Sequence, residues 1–499
     1  MYTSRQGQPL WSSNAGANRS AQAMIALLGR ASDYGLEVRD YDPVALLARA
    51  QAMALVGGAG LVARSQFDAM LSLASARFIA DLHSGRVNPR AVGHDLDVPH
   101  ANLDVAAAVA GAAGSSDLTG VIADFEPAFR HYELLKTALS RYRGLATDLT
   151  LTQLPALPSR SVLPGQAYVG AAALRRLLQA LGDLPAAAGG AAAGGAASAD
   201  PVLDDSLATG LRGFQERHGL ENDGTLGAGT FAALTTPLST RVRQIELSLE
   251  RLRWLPPQLN SPPILVNIPQ FRLFAFYTTA DREDLLLQMN VIVGKTFTRN
   301  NTPVFAADMR FVVIRPYWDV PATILRSEFL PKIRANPEWL VRNHFEIVAG
   351  EADDGRIVPA SADSIDALAR GQLRLRQKPG ADNSLGIAKL MFPNRHNVYL
   401  HGTPAQGLFA EARRAFSHGC VRVEDPLGLA AFVLRDQPLW TRARLEEAAK
   451  LERPTRIALT QPLRVFIIYA TALVAESGRV HFFEDIYGHD RRLAAQLAR

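Results

Sequence analysis

Near Pro256-Pro257 the apolar residues of this chain change their spacing. Before that point Val242, Ile245, Leu249 and Leu252 recur at helical intervals. After it, 264–268, 271–277, 285–293 and 311–315 are short apolar or alternating runs bounded by turns. A period near 3.6 lets a helix bury one stripe, whereas a period of two lets a strand bury one face. The chain is therefore read as α+β and multidomain, helical first and sheet-rich after. At 499 residues about three domains are expected, and a 48% hydrophobic composition can fill a core in each.

Within the helical part, 21–28, 43–56, 67–82 and 121–145 show helix-like apolar spacing, separated by Gly, Asp and Pro turns. Farther on, Leu174, Leu178 and Leu181 form a stripe, 207–218 contains Phe214-Gln215, and Asp223-Gly224 marks a turn before a last short helix at 231–234. Between them 186–198 is almost wholly Ala and Gly, with little side-chain area to bury, and is expected to be a flexible loop. His83 and Arg86, in Leu-His-Ser-Gly-Arg, are read as a capped turn between helices ahead of a ligand site.

The chemistry concentrates near the C-terminal end. Val398-Tyr-Leu-His401-Gly-Thr-Pro404 is followed, twelve residues on, by Ser417-His-Gly-Cys-Val-Arg-Val423, which holds the only cysteine of the chain. A lone cysteine is most often a small buried hydrophobe. To act as a nucleophile it needs a base or a positive field, and here two histidines and an arginine surround it. His401 sits beside a predicted strand that could hold it rigidly. His418 and Cys420 would share a face on a regular strand, but Gly419 makes a turn equally compatible, and its amides could then form an oxyanion hole. Asp425-Pro426 reads as an N-cap with proline at the first helical position, opening a helix over 427–434. Arg422 offers paired donors to a carboxylate. Zinc fits poorly, because structural sites need four Cys/His ligands. Gly294-Lys295-Thr296 lacks the upstream glycine of a phosphate loop. No metal and no cofactor are expected.

These residues resemble the signature of L,D-transpeptidases with a YkuD-type catalytic domain, in particular the large Gram-negative periplasmic branch. The resemblance extends to Phe392-Pro-Asn394, Phe409, Arg414-Ala-Phe-Ser417 and 421–424; Gly402 departs from the Asp often found there. It implies Cys420 as nucleophile, His401 as general base, and His418 and Gly419 as the supporting part of the motif. Arg422, Tyr399, Ser417, Trp318 and Arg376 would face the substrate. It also implies a helical scaffold domain over 1–155, a small helical peptidoglycan-binding-like domain over 156–240, and a catalytic domain over 241–499 carrying a capping subdomain at about 316–397. The region 454–499 is expected to pair with the catalytic sheet, with 463–474 and 479–483 as strands and 441–449 as a short helix. His481 and His489 are taken as structural or exposed. The implied partners are peptidoglycan stem peptides and glycan, with a β-lactam (carbapenem) adduct on the sulfur.

Composition excludes other classes. A net charge of +5 without a Lys/Arg block or aromatic-basic interleave gives no nucleic-acid surface. No apolar run reaches membrane-spanning length. Met1-Tyr-Thr-Ser-Arg is not followed by an apolar signal segment, and because the resembled family acts outside the cytoplasmic membrane, the sequence is read as a mature or truncated chain. The periplasm is the compartment that the resemblance implies, and a monomer is the expected state.

Overall fold

A computed structural model describes residues 8–55, 60–97, 103–185, 201–256, 261–279, 286–296, 300–350 and 355–499. The chain divides into two compact units, one of 1–260, 281–284 and 469–499 and the other of 261–280 and 285–468.

The first unit is built largely of helices. Arg19–Leu28, Pro43–Leu55, Leu61–Ser84, Val105–Gly114, Leu118–Ala123 and Arg130–Ala146 surround a core that includes Trp11, Met24, Leu28, Phe67, Leu71 and Phe78. Their starts are set locally. Asn18, Asp104 and Asp117 each accept from the amide three residues on, at 2.9, 2.9 and 3.0 Å. The single helix expected over 121–145 is two, because Pro127 lies between Ala123 and Arg130 and brings no amide hydrogen to a helix. The His83–Arg86 segment is a capped turn: Gly85 takes φ +79°, and the buried Glu250 carboxylate accepts from the Arg86 and Val87 amides at 2.6 and 2.9 Å.

Three further helices, Ala171–Leu181, Asp205–Arg217 and Ala228–Leu234, precede a longer one at Leu238–Leu252. Gln215 organises them. It is 1% exposed, its Nε2 donates to Asp223 Oδ1, the Thr225 carbonyl and Thr230 Oγ1, and its Oε1 accepts from the Gly224 amide at 2.8 Å. Asp223-Gly224, with φ +75° at the glycine, is thereby fixed as a turn. Buried Arg217 forks onto Asp183 at 2.7 and 2.5 Å. The Ala/Gly run expected as a loop over 186–198 lies outside the described residues.

The second unit is sheet-rich. Its strands, in chain order, are β1 (Ile264–Asn267), β2 (Arg272–Phe276), β3 (Leu286–Gly294), β4 (Phe305–Ile314), β5 (Trp318–Asp319), β6 (Phe345–Ala349), β7 (Arg356–Val358), β8 (Arg374–Gln377), β9 (Ala388–Met391), β10 (Leu400–His401), β11 (Ala415–Ser417), β12 (Val421–Val423) and β13 (Thr455–Ile468). Nine of them form one sheet in the order β11-β3-β12-β10-β9-β4-β13-β1-β2. Because β2 also pairs with β3, the sheet closes into a barrel with β11 as an outer flap on β3. Closure removes the unpaired edges that an open sheet would expose. Strands β5 to β8 form a separate four-stranded sheet in the order β7-β6-β8-β5, the sheet of the capping insertion. Its core holds Trp318, Leu325, Leu330, Ile333, Phe345 and Leu375.

The C-terminal region departs from the expectation. Only 455–468 joins the barrel, between β4 and β1. The apolar alternation runs on through Val474, but the chain leaves the barrel after Ile468; Ala472–Val474 and Val480–Phe482 pair only with each other, in the first unit, ahead of the helix His489–Leu497. His489 is buried there, its Nδ1 2.6 Å from His94 Nε2. Among the described residues no helix is long and apolar enough to cross a membrane.

Candidate active site

The helix after the cysteine forms as its sequence dictates: Asp425 Oδ1 accepts from the Gly428 amide at 2.9 Å and Pro426 opens Pro426–Val433. Before it, His418 to Cys420 bend between β11 and β12. Gly419 takes φ +119°, a conformation that L side chains rarely adopt, so His418 and Cys420 do not share a strand face. Hydroxyls hold the turn. The Gly419 amide donates to Ser417 Oγ at 3.1 Å, and that hydroxyl donates to the Cys420 carbonyl at 2.5 Å. Thr302 Oγ1 donates to the Gly419 carbonyl at 2.8 Å while accepting from the Gly294 amide at 2.9 Å. Ser417 is buried, and its hydroxyl serves the turn.

Parallel pairing of β10 with β12 sets Leu400 against Val421 and His401 against Arg422. Nineteen residues of sequence separation therefore vanish in space, and the residue before the pair, Tyr399, comes to the cysteine. Its ring lies 5.5 Å from the His401 ring, and its backbone and hydroxyl favour the thiolate form of Cys420. Tyr399 also packs against the insertion's core, which includes Trp318. Cys420 Sγ also lies 3.8 Å from the Asn397 carbonyl. Burial pushes the thiol above its ordinary value, against which the two Tyr399 donors and the charges of Lys389 and Arg422 pull down.

His401 is 5% exposed. Its Nδ1 lies 2.6 Å from the Gly402 carbonyl; a carbonyl can only accept, so Nδ1 carries the hydrogen and Nε2 keeps its lone pair. Burial, with Arg422 second, drives the imidazole down to about 3. It is a neutral base at any ordinary pH. Arg422 faces the sulfur, and its Nε is buried without a hydrogen-bond partner. Lys389 pairs with His401 from β9 and lies over the Tyr399 ring at 4.1 Å.

The remaining expected residues lie as follows. Trp318 is buried in the insertion's core, against which Tyr399 packs. Arg376 is 2% exposed, bonded to Glu346 at 2.8 and 2.5 Å directly across β6 and β8, with Tyr317 at 4.0 Å beneath it. Its donors serve the insertion's interior. His418 points to the insertion, its Nε2 2.7 Å from Glu328 Oε1. Sequence reasoning missed Lys389, Thr302 and Glu328. Lys389 had a signal, a cation inside the apolar run Ala388-Lys-Leu-Met; the other two had none, since only long-range pairing brings them in.

A closed barrel thus brings a cysteine turn, a buried neutral imidazole and two flanking cations together. Residues 262–442 match the family described as L,D-transpeptidase catalytic domain, 170–234 the "Putative peptidoglycan binding domain", and 1–139 the "Scaffold domain". The chain carries a catalytic domain of the YkuD family of L,D-transpeptidases, with a helical scaffold and a small helical peptidoglycan-binding domain before it. A Haemophilus influenzae protein named "Putative L,D-transpeptidase" is 34% identical over 260 residues, 52% of this chain and 50% of the relative. The match thus spans about half of that relative's length.

Proposed function

We propose that the protein is an L,D-transpeptidase that forms 3-3 cross-links in peptidoglycan through a thioester on Cys420. The observation that carries this is the buried, neutral His401 imidazole, its Nδ1 turned to the Gly402 carbonyl, on the strand that pairs with the cysteine segment. In the first half-reaction His401 Nε2 takes the proton of Cys420, and the sulfur attacks the carbonyl joining the third, L-centred residue of a tetrapeptide stem to its terminal D-alanine. The developing oxyanion is met by the Cys420 amide at the Gly419 turn. As the tetrahedral intermediate collapses, the carbon–nitrogen bond breaks, the imidazolium returns its proton to the leaving amine, and D-alanine departs. The side-chain amine of the third residue of another stem then attacks the thioester, His401 accepting its proton and returning it to the sulfur. Arg422 and Lys389 supply positive charge for a donor carboxylate. Both the thiol and the imidazole are neutral at rest, so proton transfer accompanies attack. The site works outside the cytoplasmic membrane, where the donor is found.

The test is incubation of the protein and of Cys420→Ala with a disaccharide-tetrapeptide, followed by intact-protein and product mass. The protein is expected to gain an acyl adduct, lose D-alanine and give cross-linked dimer, and the variant none of these. Persistence of dimer in the variant would sink the assignment of the nucleophile. Release of tripeptide without dimer would assign a carboxypeptidase, and transfer only to a lipoprotein lysine would assign wall anchoring. A folded protein that gains no adduct from tetrapeptide or carbapenem would be a wall-binding protein.

A further inference from the structure

The capping insertion reaches the nucleophile turn at the solvent edge through Glu328. Leu325–Phe329 form a π-helical turn between Ala322–Ile324 and Leu330–Ala335. A π turn inserts a residue into a helix and re-aims the side chains that follow. Leu325 and Leu330 anchor this one in the insertion's core, with Phe329 packed against them. Glu328 is left at the surface, where its Oε1 meets His418 Nε2 at 2.7 Å. Both side chains are half-exposed, 41% for the glutamate and 32% for the histidine. His418 stands two residues before the sulfur, across the glycine whose φ of +119° makes the turn. The insertion's other hold, its apolar core packed on Tyr399, is inside, with Trp318 of that core only 8% exposed. One hold is dry and fixed; the other is wet and exchangeable.

We propose that Glu328 is a positioning residue that latches the insertion onto the nucleophile turn, and that release of His418 from Glu328 is what admits a bulky reactant to Cys420. A contact as exposed as this one, which is an ion pair when His418 is protonated, then shifts an equilibrium by up to about fivefold and is screened by salt. Such a contact holds the turn in place yet opens often enough for a peptide with its sugars to pass. The consequence for donor access rests on the transpeptidase reading above, whereas the latch itself does not.

Cys420 is the only cysteine, so intact mass after alkylation reports that one sulfur. The experiment compares two rates on the full chain, with iodoacetamide and with a maleimide carried on a polyethylene glycol chain. Their ratio cancels any change in intrinsic thiol reactivity. In Glu328→Ala the bulky reagent is expected to gain about fivefold relative to the small one. Glu328→Gln, which keeps an acceptor oxygen without the charge, should fall between, and Glu328→Asp near the parent. In buffer acidic enough to protonate an imidazole, added salt should raise the ratio in the parent but not in Glu328→Ala. Equal changes for both reagents, or a parent ratio indifferent to salt, would overturn the latch. A shifted ratio in a protein that never takes up the tetrapeptide would keep the latch and reject the transpeptidase; acylation with an unshifted ratio would do the reverse.

Discussion

Two turns of this molecule use the same device to different ends. At Asp223-Gly224 and at His418-Gly419-Cys420 a glycine of positive φ, +75° and +119°, is locked by side-chain hydrogen bonds, from Gln215 in one and from Ser417 and Thr302 in the other. In the small helical domain Gln215 spends its amide nitrogen and its oxygen on the domain itself. In the barrel the hydroxyls secure only the backbone, and the groups they present are incompletely used: a thiol raised by burial, an imidazole kept neutral by burial, a buried guanidinium nitrogen with no partner. Rigidity is common to both turns. What separates structure from chemistry is the polar capacity left over.

The largest expected effect tests that surplus. His401→Gln should lower acylation of Cys420 by about 10²–10⁴-fold, the usual worth of a positioned general base, read as the rate of adduct formation by mass. Next come the glycines. Gly419→Ala and Gly224→Ala each place an alanine in a strained region costing about 1–3 kcal/mol, and at Gly224 the new methyl would also meet the Ala208 carbonyl at 3.0 Å. Both should lower the unfolding midpoint in denaturant, but only the first should abolish acylation; equal loss of activity in both would break the contrast. Gln215→Leu should destabilise by about 1–3 kcal/mol, since the Gly224 amide loses its acceptor, with the alkylation rate of Cys420 unchanged.

The smallest effects are in pH. The rate of Cys420 alkylation should rise with pH through an apparent value above that of an ordinary thiol, because burial raises it. Tyr399→Phe removes a donor that favours the thiolate, so this value should move higher still, and a fall would contradict the Tyr399 contact. Acylation should show no acidic limb from His401 between pH 5 and 7, because an imidazole held at about 3 stays neutral there.

Much of this was legible in the sequence because it is local. The Asp425-Pro426 helix start, the Asp223-Gly224 turn and the change of period at Pro256-Pro257 are short-range chemistry, and the chain obeys them. The failures share one cause. Alternation across 463–474 states that a strand buries one face but not which strand lies beside it, so the departure of the chain after Ile468 left no trace. Arg376 looks like a ligand-binding arginine until β6 sets Glu346 opposite it. Glu328 and Thr302 reach the cysteine turn across long separations of chain. Spacing could nominate Cys420 and His401; only the parallel register of β10 and β12 supplies their neighbour Tyr399.

The stave that completes the barrel is its last. Strand β13 fills the gap between β4 and β1, yet it begins at Thr455, beyond the end of the recognised catalytic segment at 442. A ribosome that has delivered the whole reactive constellation has still not delivered the piece that seals the wall behind it. During synthesis the sulfur therefore exists for a time on an open ribbon with two raw edges. A fragment trimmed to the homologous core would inherit that unfinished state, so any minimal catalytic domain has to run to Ile468.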